Sequence, residues 1–154
     1  MKLAIVCVAI CLLVTGCGQS SGQPKSTAAK EVVRTDAAPI SKRLSKLGAL
    51  QAVWWTSTQV TTDSALSPPG NPAYRVVGFA QLEKGKADEL SQQFQWQQVP
   101  PDWKPALTIT NLNLDSATWS QSPAFAKDYK PQQIPGKLFF ERLKGVVYFD
   151  LEIE

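Results

Sequence analysis

The sequence predicts a small single α+β domain, built as an antiparallel sheet of four or five strands with one or two packed helices. Three observations support this class. Segments rich in aromatic and β-branched residues occur at 54–62 and 74–82. The C-terminal residues alternate between apolar and polar side chains, as a half-buried strand does. Elsewhere apolar residues recur every three or four positions, which is typical of helices.

The first predicted helix covers 41–52, with Ser41 as its N-cap. Its apolar residues are spaced by three and four (Ile40, Leu44, Leu47 and Leu50), and Lys42, Arg43 and Lys46 lie on the other side. Such a helix either packs its apolar stripe on the domain, which we favour, or lies on a membrane surface. The segment 54–62 follows as a strand, and 64–72 is a predicted loop because it contains three prolines and a glycine. The next strand covers 74–82, and the glycine inside it indicates a bulge or a close packing partner at position 78.

The second predicted helix covers 86–96, and prolines keep 99–105 extended. Weak alternation at 107–114 predicts another strand. A hairpin joins 137–143 to 146–154 through Lys144-Gly145. One face of its second arm is apolar (Val147, Phe149, Leu151 and Ile153), and the other carries Tyr148, Asp150, Glu152 and Glu154.

The N-terminus differs from the rest of the chain. After Met1-Lys2, the twelve residues of 3–14 have no charge and no strongly polar side chain. A helix of that length spans about 18 Å, which is too short for the ~30 Å hydrocarbon core but suits the apolar region of a secretory signal. We therefore predict a signal peptide at 1–16.

The residues Val14, Thr15, Gly16 and Cys17 resemble the lipobox of bacterial lipoproteins, in which an aliphatic residue and two small residues precede a cysteine. The resemblance covers only the first seventeen residues. It implies cleavage between Gly16 and Cys17 and attachment of lipid, palmitate included, to Cys17. It also implies a place in the cell envelope. In a Gram-negative cell, Gly18 after the cysteine implies that the protein lies on the periplasmic side of the outer membrane. In any other bacterium, the resemblance implies the outer face of the cell membrane.

Residues 17–39 are rich in Ser, Gln, Thr, Ala, Lys and Gly, which predicts a flexible lipidated tether before a globular domain at 40–154. Residues 18–46 carry six basic and two acidic groups, whereas 47–154 carry nine basic and eleven acidic groups. The basic segment is either a solvated linker or a surface attracted to anionic headgroups. The slightly acidic domain and its export make nucleic acid an unexpected partner.

Composition narrows the possible chemistry. The chain has no histidine, which excludes serine–histidine and cysteine–histidine catalysis and removes the usual transition-metal ligand. Cys7 and Cys11 leave with the signal and Cys17 carries lipid, so the mature protein has no thiol for a disulfide. No P-loop, dinucleotide turn, EF-hand loop or nucleophile elbow occurs, and we expect neither a metal nor a cofactor.

Five tryptophans are the main candidates for binding residues. Trp103, in a proline-stiffened polar segment, is the best candidate, followed by Trp55 and Trp119. The alternative is that these rings belong to the core. Adjacent Trp54 and Trp55 point to opposite faces if their segment is a strand.

Three functions are consistent with these observations. The first is a noncatalytic envelope lipoprotein that acts by protein contact, as an assembly factor, inhibitor or immunity protein. The second is a module that binds cell-wall glycan or a small molecule through exposed tryptophans. The third, a hydrolase that uses two carboxylates, needs two acidic residues facing each other in a cleft.

Overall fold

The computed structural model describes residues 32–60 and 73–153. The predicted signal peptide, Cys17 and the loop 64–72 lie outside these ranges. The helices of the described chain are α1 (Ala38–Arg43), α2 (Lys84–Gln93) and α3 (Pro123–Tyr129), and a 3₁₀ turn lies at Ser45–Leu47. The strands are β1 (Leu50–Val60), β2 (Ala73–Leu82), β3 (Gln97–Gln98), β4 (Trp119–Gln121), β5 (Gly136–Glu141) and β6 (Val146–Ile153).

The strands form one antiparallel sheet in the order β1-β2-β6-β5-β4-β3. The α+β class is therefore confirmed, but the sheet has six strands rather than four or five, and three helices accompany it. The two additional strands are β3 and β4, with two and three residues. Segments of that length are too short for alternation to reveal.

The predicted helix at 41–52 was wrong in both position and length. Helix α1 begins at Ala38, with Ala37 rather than Ser41 as its N-cap, and ends at Arg43. The 3₁₀ turn then brings Leu47 into the core, and Gly48, with a φ of 79°, ends it. The apolar spacing from 40 to 47 does correspond to helical turns, namely α1 and the 3₁₀ turn. The chain then enters β1 at Leu50, so the apolar residues after that point belong to the sheet.

The chain also reaches the sheet before the predicted boundary at 40. Arg34 and Trp55 exchange two backbone hydrogen bonds, of 2.8 and 2.9 Å, along the outer edge of β1. The Trp55 indole N–H donates to the Asp36 carbonyl over 3.1 Å. Residues 34–36 are therefore attached to the sheet, although their composition is that of a tether.

One face of the sheet, the helix face, is covered by the three helices. The core there contains most of the aliphatic and aromatic residues that the hairpin and the helices contribute, among them Leu47, Leu90, Phe125, Phe140 and Phe149. The apolar side of β6 lies on this face, as the alternation predicts (Val147, Phe149 and Leu151, with Ile153 partly buried). The β5–β6 hairpin is likewise confirmed.

The other face, the loop face, is covered by the irregular segment 99–118. The strand predicted at 107–114 is absent from it. The Leu112 N–H donates to the Ile109 carbonyl across a turn, which interrupts an extended strand. The apolar side chains of 107–114 pack on the face of the sheet, and the backbone there does not pair with a described strand. Tyr148, expected on a polar face of β6, is buried here.

Gly78 lies on β2 between β1 and β6 and is in close contact with both strands. A Cβ atom at this position would lie 2.4 Å from the Trp54 carbonyl and 2.6 Å from the Phe149 ring. The glycine in the predicted strand therefore marks a close packing partner, one of the two expected alternatives.

We expect Gly78→Ala to lower the free energy of unfolding by about 1–3 kcal/mol or more, because overpacking forces strands and rings apart. Gly85→Ala is the matched control, since a Cβ atom there meets nothing within 4 Å. That variant should be neutral or gain less than about 1 kcal/mol. Urea unfolding of both variants measures the difference, and equal midpoints would contradict the close packing.

Candidate functional site

The tryptophans proposed as binding residues occupy different environments. Trp55 is 4% exposed in the helix-face core, and the Arg34 guanidinium lies 4.2 Å from its ring centroid. Trp119 is 7% exposed on the loop face, 6.0 Å from the Phe79 ring. Both rings are therefore largely buried, and the little surface they keep lines two depressions, one shared by Trp119 and Trp103 and the other by Trp55 and Arg34. Trp54 packs on the loop face, opposite to Trp55, as strand geometry predicts.

Trp103 is half-buried at the edge of an aromatic cluster on the loop face. Its ring lies 4.3 Å from Phe139, and it meets Trp119 and Tyr148 edge-on at 5.8 and 5.4 Å. A turn in which Trp103 N–H donates to the Pro100 carbonyl holds its backbone. The proline-rich segment therefore does not leave the indole in solvent but lays it on the sheet.

A cavity of about 340 Å³ lies beside Trp103, between the sheet and the segment 99–118. Its walls combine apolar side chains (Phe79, Leu107, Ile109, Leu112, Leu114 and Trp119) with the polar groups of Lys104, Thr108 and Asp115. This volume lies at the lower end of the range for small-molecule sites. The segment that covers the cavity is a long stretch without helix or strand, a kind of segment that is often functional.

The Tyr148 hydroxyl anchors that segment rather than serving a ligand. It accepts a hydrogen bond from the Ala106 backbone N–H over 3.3 Å. Burial raises the pKa of Tyr148, the nearby Asp150 carboxylate adds to the rise, and the Ala106 hydrogen bond opposes it. Tyr148 therefore stays neutral at ordinary pH, which suits a hydroxyl buried at the base of the loop.

Of the acidic residues of β6, Asp150 is engaged in an ion pair and Glu152 is exposed. Asp150 makes a two-pronged ion pair with Arg75 on β2, with distances of 2.8 and 2.7 Å, and this contact raises the pKa of Arg75. Glu154 lies outside the described residues. Within 32–60 and 73–153, no three residues of the types His, Cys, Asp and Glu are grouped to hold a metal ion.

Glu141 is a buried carboxylate that the sequence did not single out. It is 1% exposed, and it accepts a hydrogen bond from the Lys144 backbone N–H in the β5–β6 turn. The Gln81 side-chain amide donates to the Lys144 carbonyl over 2.7 Å on the other side of the same turn. Glu141 therefore orders the hairpin and faces no second buried acidic residue in the part of the chain that the structure describes.

The outer edge of β1 is an unusual feature of the surface. This strand has eleven residues, none of them charged and none proline. In the described chain, only Arg34 forms backbone hydrogen bonds to this edge, at Trp55. Because strand residues alternate in direction, Ser57 and Gln59 point their N–H and C=O groups to the same outer edge as Trp55. Natural sheets usually protect such an edge with charges, proline or a bulge, and the register irregularity of β1 lies at its start, between Leu50 and Ala52, away from Ser57 and Gln59.

Exposed apolar side chains surround this end of β1. Among the described residues, five large apolar side chains are exposed, and four of them lie beside the edge (Val32, Val33, Val60 and Tyr74). Tyr74 pairs with Gln59 on the neighbouring strand, and Val32 and Val33 directly precede Arg34. The fifth, Leu143, lies at the tip of the β5–β6 hairpin.

Comparison with known proteins identifies no relative: no protein-family model, no curated protein and no solved structure matches the chain. Among the helices of the described residues, none is long and apolar enough to cross a membrane.

Proposed function

We propose that the chain is a lipid-anchored protein of the bacterial envelope, held by acyl chains on Cys17, that acts without catalysis by binding another envelope protein along the outer edge of β1. The observation that carries the contact is this uncharged edge with its exposed apolar neighbours. The anchor rests on the lipobox, Val14-Thr15-Gly16-Cys17.

Strand addition explains how such an edge would bind. An extended segment of the partner would pair its backbone with the outward N–H and C=O groups of Ser57 and Gln59, and alternate side chains would supply specificity. Val60 and Tyr74 offer apolar contacts on opposite faces of the sheet at this edge. No catalytic side chain is required for this mode of action, in agreement with a chain that has no histidine.

The anchor determines where the partner is found. Two or three acyl chains hold a protein stably on a membrane, whereas a single chain binds only marginally. A partner must then be exposed on the periplasmic side of the outer membrane in a Gram-negative cell, or on the outer face of the cell membrane otherwise. An assembly factor, an enzyme inhibitor or an immunity protein of the envelope would each act by binding a protein partner at such a location.

We expect Cys17→Ala to abolish incorporation of labelled palmitate and to leave the uncleaved precursor, because Cys17 supplies the acceptor thiol. Cys7→Ala is the matched control, since Cys7 lies in the segment removed as signal peptide. Metabolic labelling and intact mass of the membrane fraction measure both outcomes. Equal labelling of Cys17→Ala and the unchanged protein would rule out this anchor.

We expect Gln59→Pro to reduce recovery of the envelope partner by about tenfold, or about 1.4 kcal/mol, because proline removes an outward N–H and blocks an added strand. Gln59→Ala keeps that N–H and serves as the control. The inward ladder to β2 is the same in both variants. Crosslinking of the full lipoprotein in cells, followed by quantitative mass spectrometry, gives the yields. A partner recovered equally with Gln59→Pro, or none enriched by the unchanged protein, would refute the edge contact.

The cavity beside Trp103 favours a second candidate function, binding of a cell-wall glycan fragment or a small apolar molecule. A sugar ring stacks on an aromatic face, and the half-buried Trp103 offers part of its face to a cavity of about 340 Å³.

Titration with peptidoglycan fragments should change tryptophan fluorescence, and Trp103→Ala should weaken the affinity by at least about threefold. Trp103→Phe is the control because it keeps an aromatic ring, and Trp119 remains as the fluorescent reporter. Unchanged fluorescence at millimolar fragment, or equal affinity of Trp103→Ala, would argue against this function.

A further inference from the structure

A basic groove lies on the helix-face side of the domain, between the N-terminal helical segment and α3. Its volume is about 700 Å³. Lys42, Arg43 and Lys46 come from α1 and the 3₁₀ turn, and Lys127 and Lys130 come from α3 and the residue that follows it. Against these five cationic groups the lining contains one carboxylate, Asp128.

None of the cationic groups of this groove forms an ion pair with a carboxylate in the part of the chain that the structure describes. In the described chain, the ion pairs are Arg34–Asp36, Arg75–Asp150 and Lys86–Glu89, and none of them involves the groove. The Arg43 guanidinium donates to the Pro39 carbonyl over 3.1 Å, and the Lys130 ammonium donates to the Ile134 carbonyl. Carbonyl groups orient these two cations without neutralising them.

The groove is a product of tertiary structure. The 3₁₀ turn packs beside α3, which brings Lys46 close to lysines that lie far along the sequence. Folding places these like charges on both sides of the groove, and together they create a positive electrostatic potential there. Such a surface attracts a ligand that carries several negative charges, and its attraction weakens as salt is added.

We propose that this groove binds the phosphate headgroups of anionic phospholipids in the membrane that holds the anchor, and so orients the domain on that membrane. This inference rests on the lipid anchor of the proposed function. Arg43 lines both the groove and the neighbouring depression that contains Arg34, so the groove lies near the first residues that the structure describes. A predicted coil of the seventeen residues to Arg34 has an r.m.s. end-to-end distance of about 23 Å, which is short enough for the groove to meet the headgroups.

The choice of phospholipid over other anions follows from that proximity. Tethering raises the effective concentration of headgroups far above that of a soluble anion. Juxtamembrane clusters of basic residues are attracted to anionic leaflets for the same electrostatic reason. The groove lies on the helix side of the sheet, whereas the cavity beside Trp103 lies on the loop face, so membrane contact would leave that cavity open.

Lysine footprinting of the full lipidated protein tests this proposal. The protein is inserted by its anchor in phosphatidylcholine vesicles, with or without about 30% phosphatidylglycerol, and its lysines are acetylated. We expect acetylation of the four groove lysines, Lys42, Lys46, Lys127 and Lys130, to slow by at least about threefold in the anionic vesicles and to recover in high salt. Lys84, Lys104 and Lys137, all exposed and outside the groove, should not change.

A variant pair gives the second measurement. The triple change Lys42→Gln, Lys46→Gln and Lys127→Gln should abolish the lipid-dependent protection of Lys130. The matched triple change at Lys84, Lys104 and Lys137 removes the same charge and should leave that protection intact.

Three results would overturn the proposal: equal acetylation in both kinds of vesicle, uniform slowing of all lysines, or protection by inorganic phosphate in neutral vesicles, which indicates a soluble anion. The mass of the lipidated Cys17 peptide, measured in the same samples, separates failure of the groove from failure of the anchor.

Discussion

The central strand β6 requires cover on both faces of the sheet, and the rest of the architecture follows from that requirement. Val147 and Phe149 are buried on the helix face, while Val146 and Tyr148 are buried on the loop face. An antiparallel sheet often leaves one face to water, but a strand with apolar side chains on both sides cannot. Helices cover the first face, and an irregular segment covers the second.

The two covers differ in their physical nature, which explains why the surface features differ. The helices form internal backbone hydrogen bonds, so they pack on the sheet through apolar side chains. The basic residues of α1 and α3 point away from the core and line the groove. The segment 99–118 has no such internal ladder. A few hydrogen bonds hold this segment, including the one from the Ala106 N–H to the Tyr148 hydroxyl. Its Trp103 ring also packs against the Phe139 ring of the sheet. A cavity next to Trp103 results from this looser cover.

The proposed contacts lie on separate parts of one small domain. The basic groove shares Arg43 with the depression that contains Arg34, and the uncharged edge of β1 also lies beside Arg34. A domain oriented by headgroups would therefore present this edge close to the membrane, where it would meet partners embedded in or attached to the same bilayer. Under this proposal the lipid would contribute to partner choice as well as to location.

The sequence by itself determined the α+β class, the C-terminal hairpin, the strands β1 and β2 and the opposite directions of Trp54 and Trp55, because alternation and β-branched composition act over a few neighbouring residues. Absence of histidine likewise needs no structure. Only the tertiary structure decided the short strands β3 and β4, the end of the first helix and the loss of a strand at 107–114. Burial of Trp55 and Trp119, the pairing of Asp150 with Arg75 and the meeting of Lys46 with Lys127 were decided there too. Each depends on contacts between residues far apart in the chain, and local periodicity carries no information about which distant surface a side chain will meet.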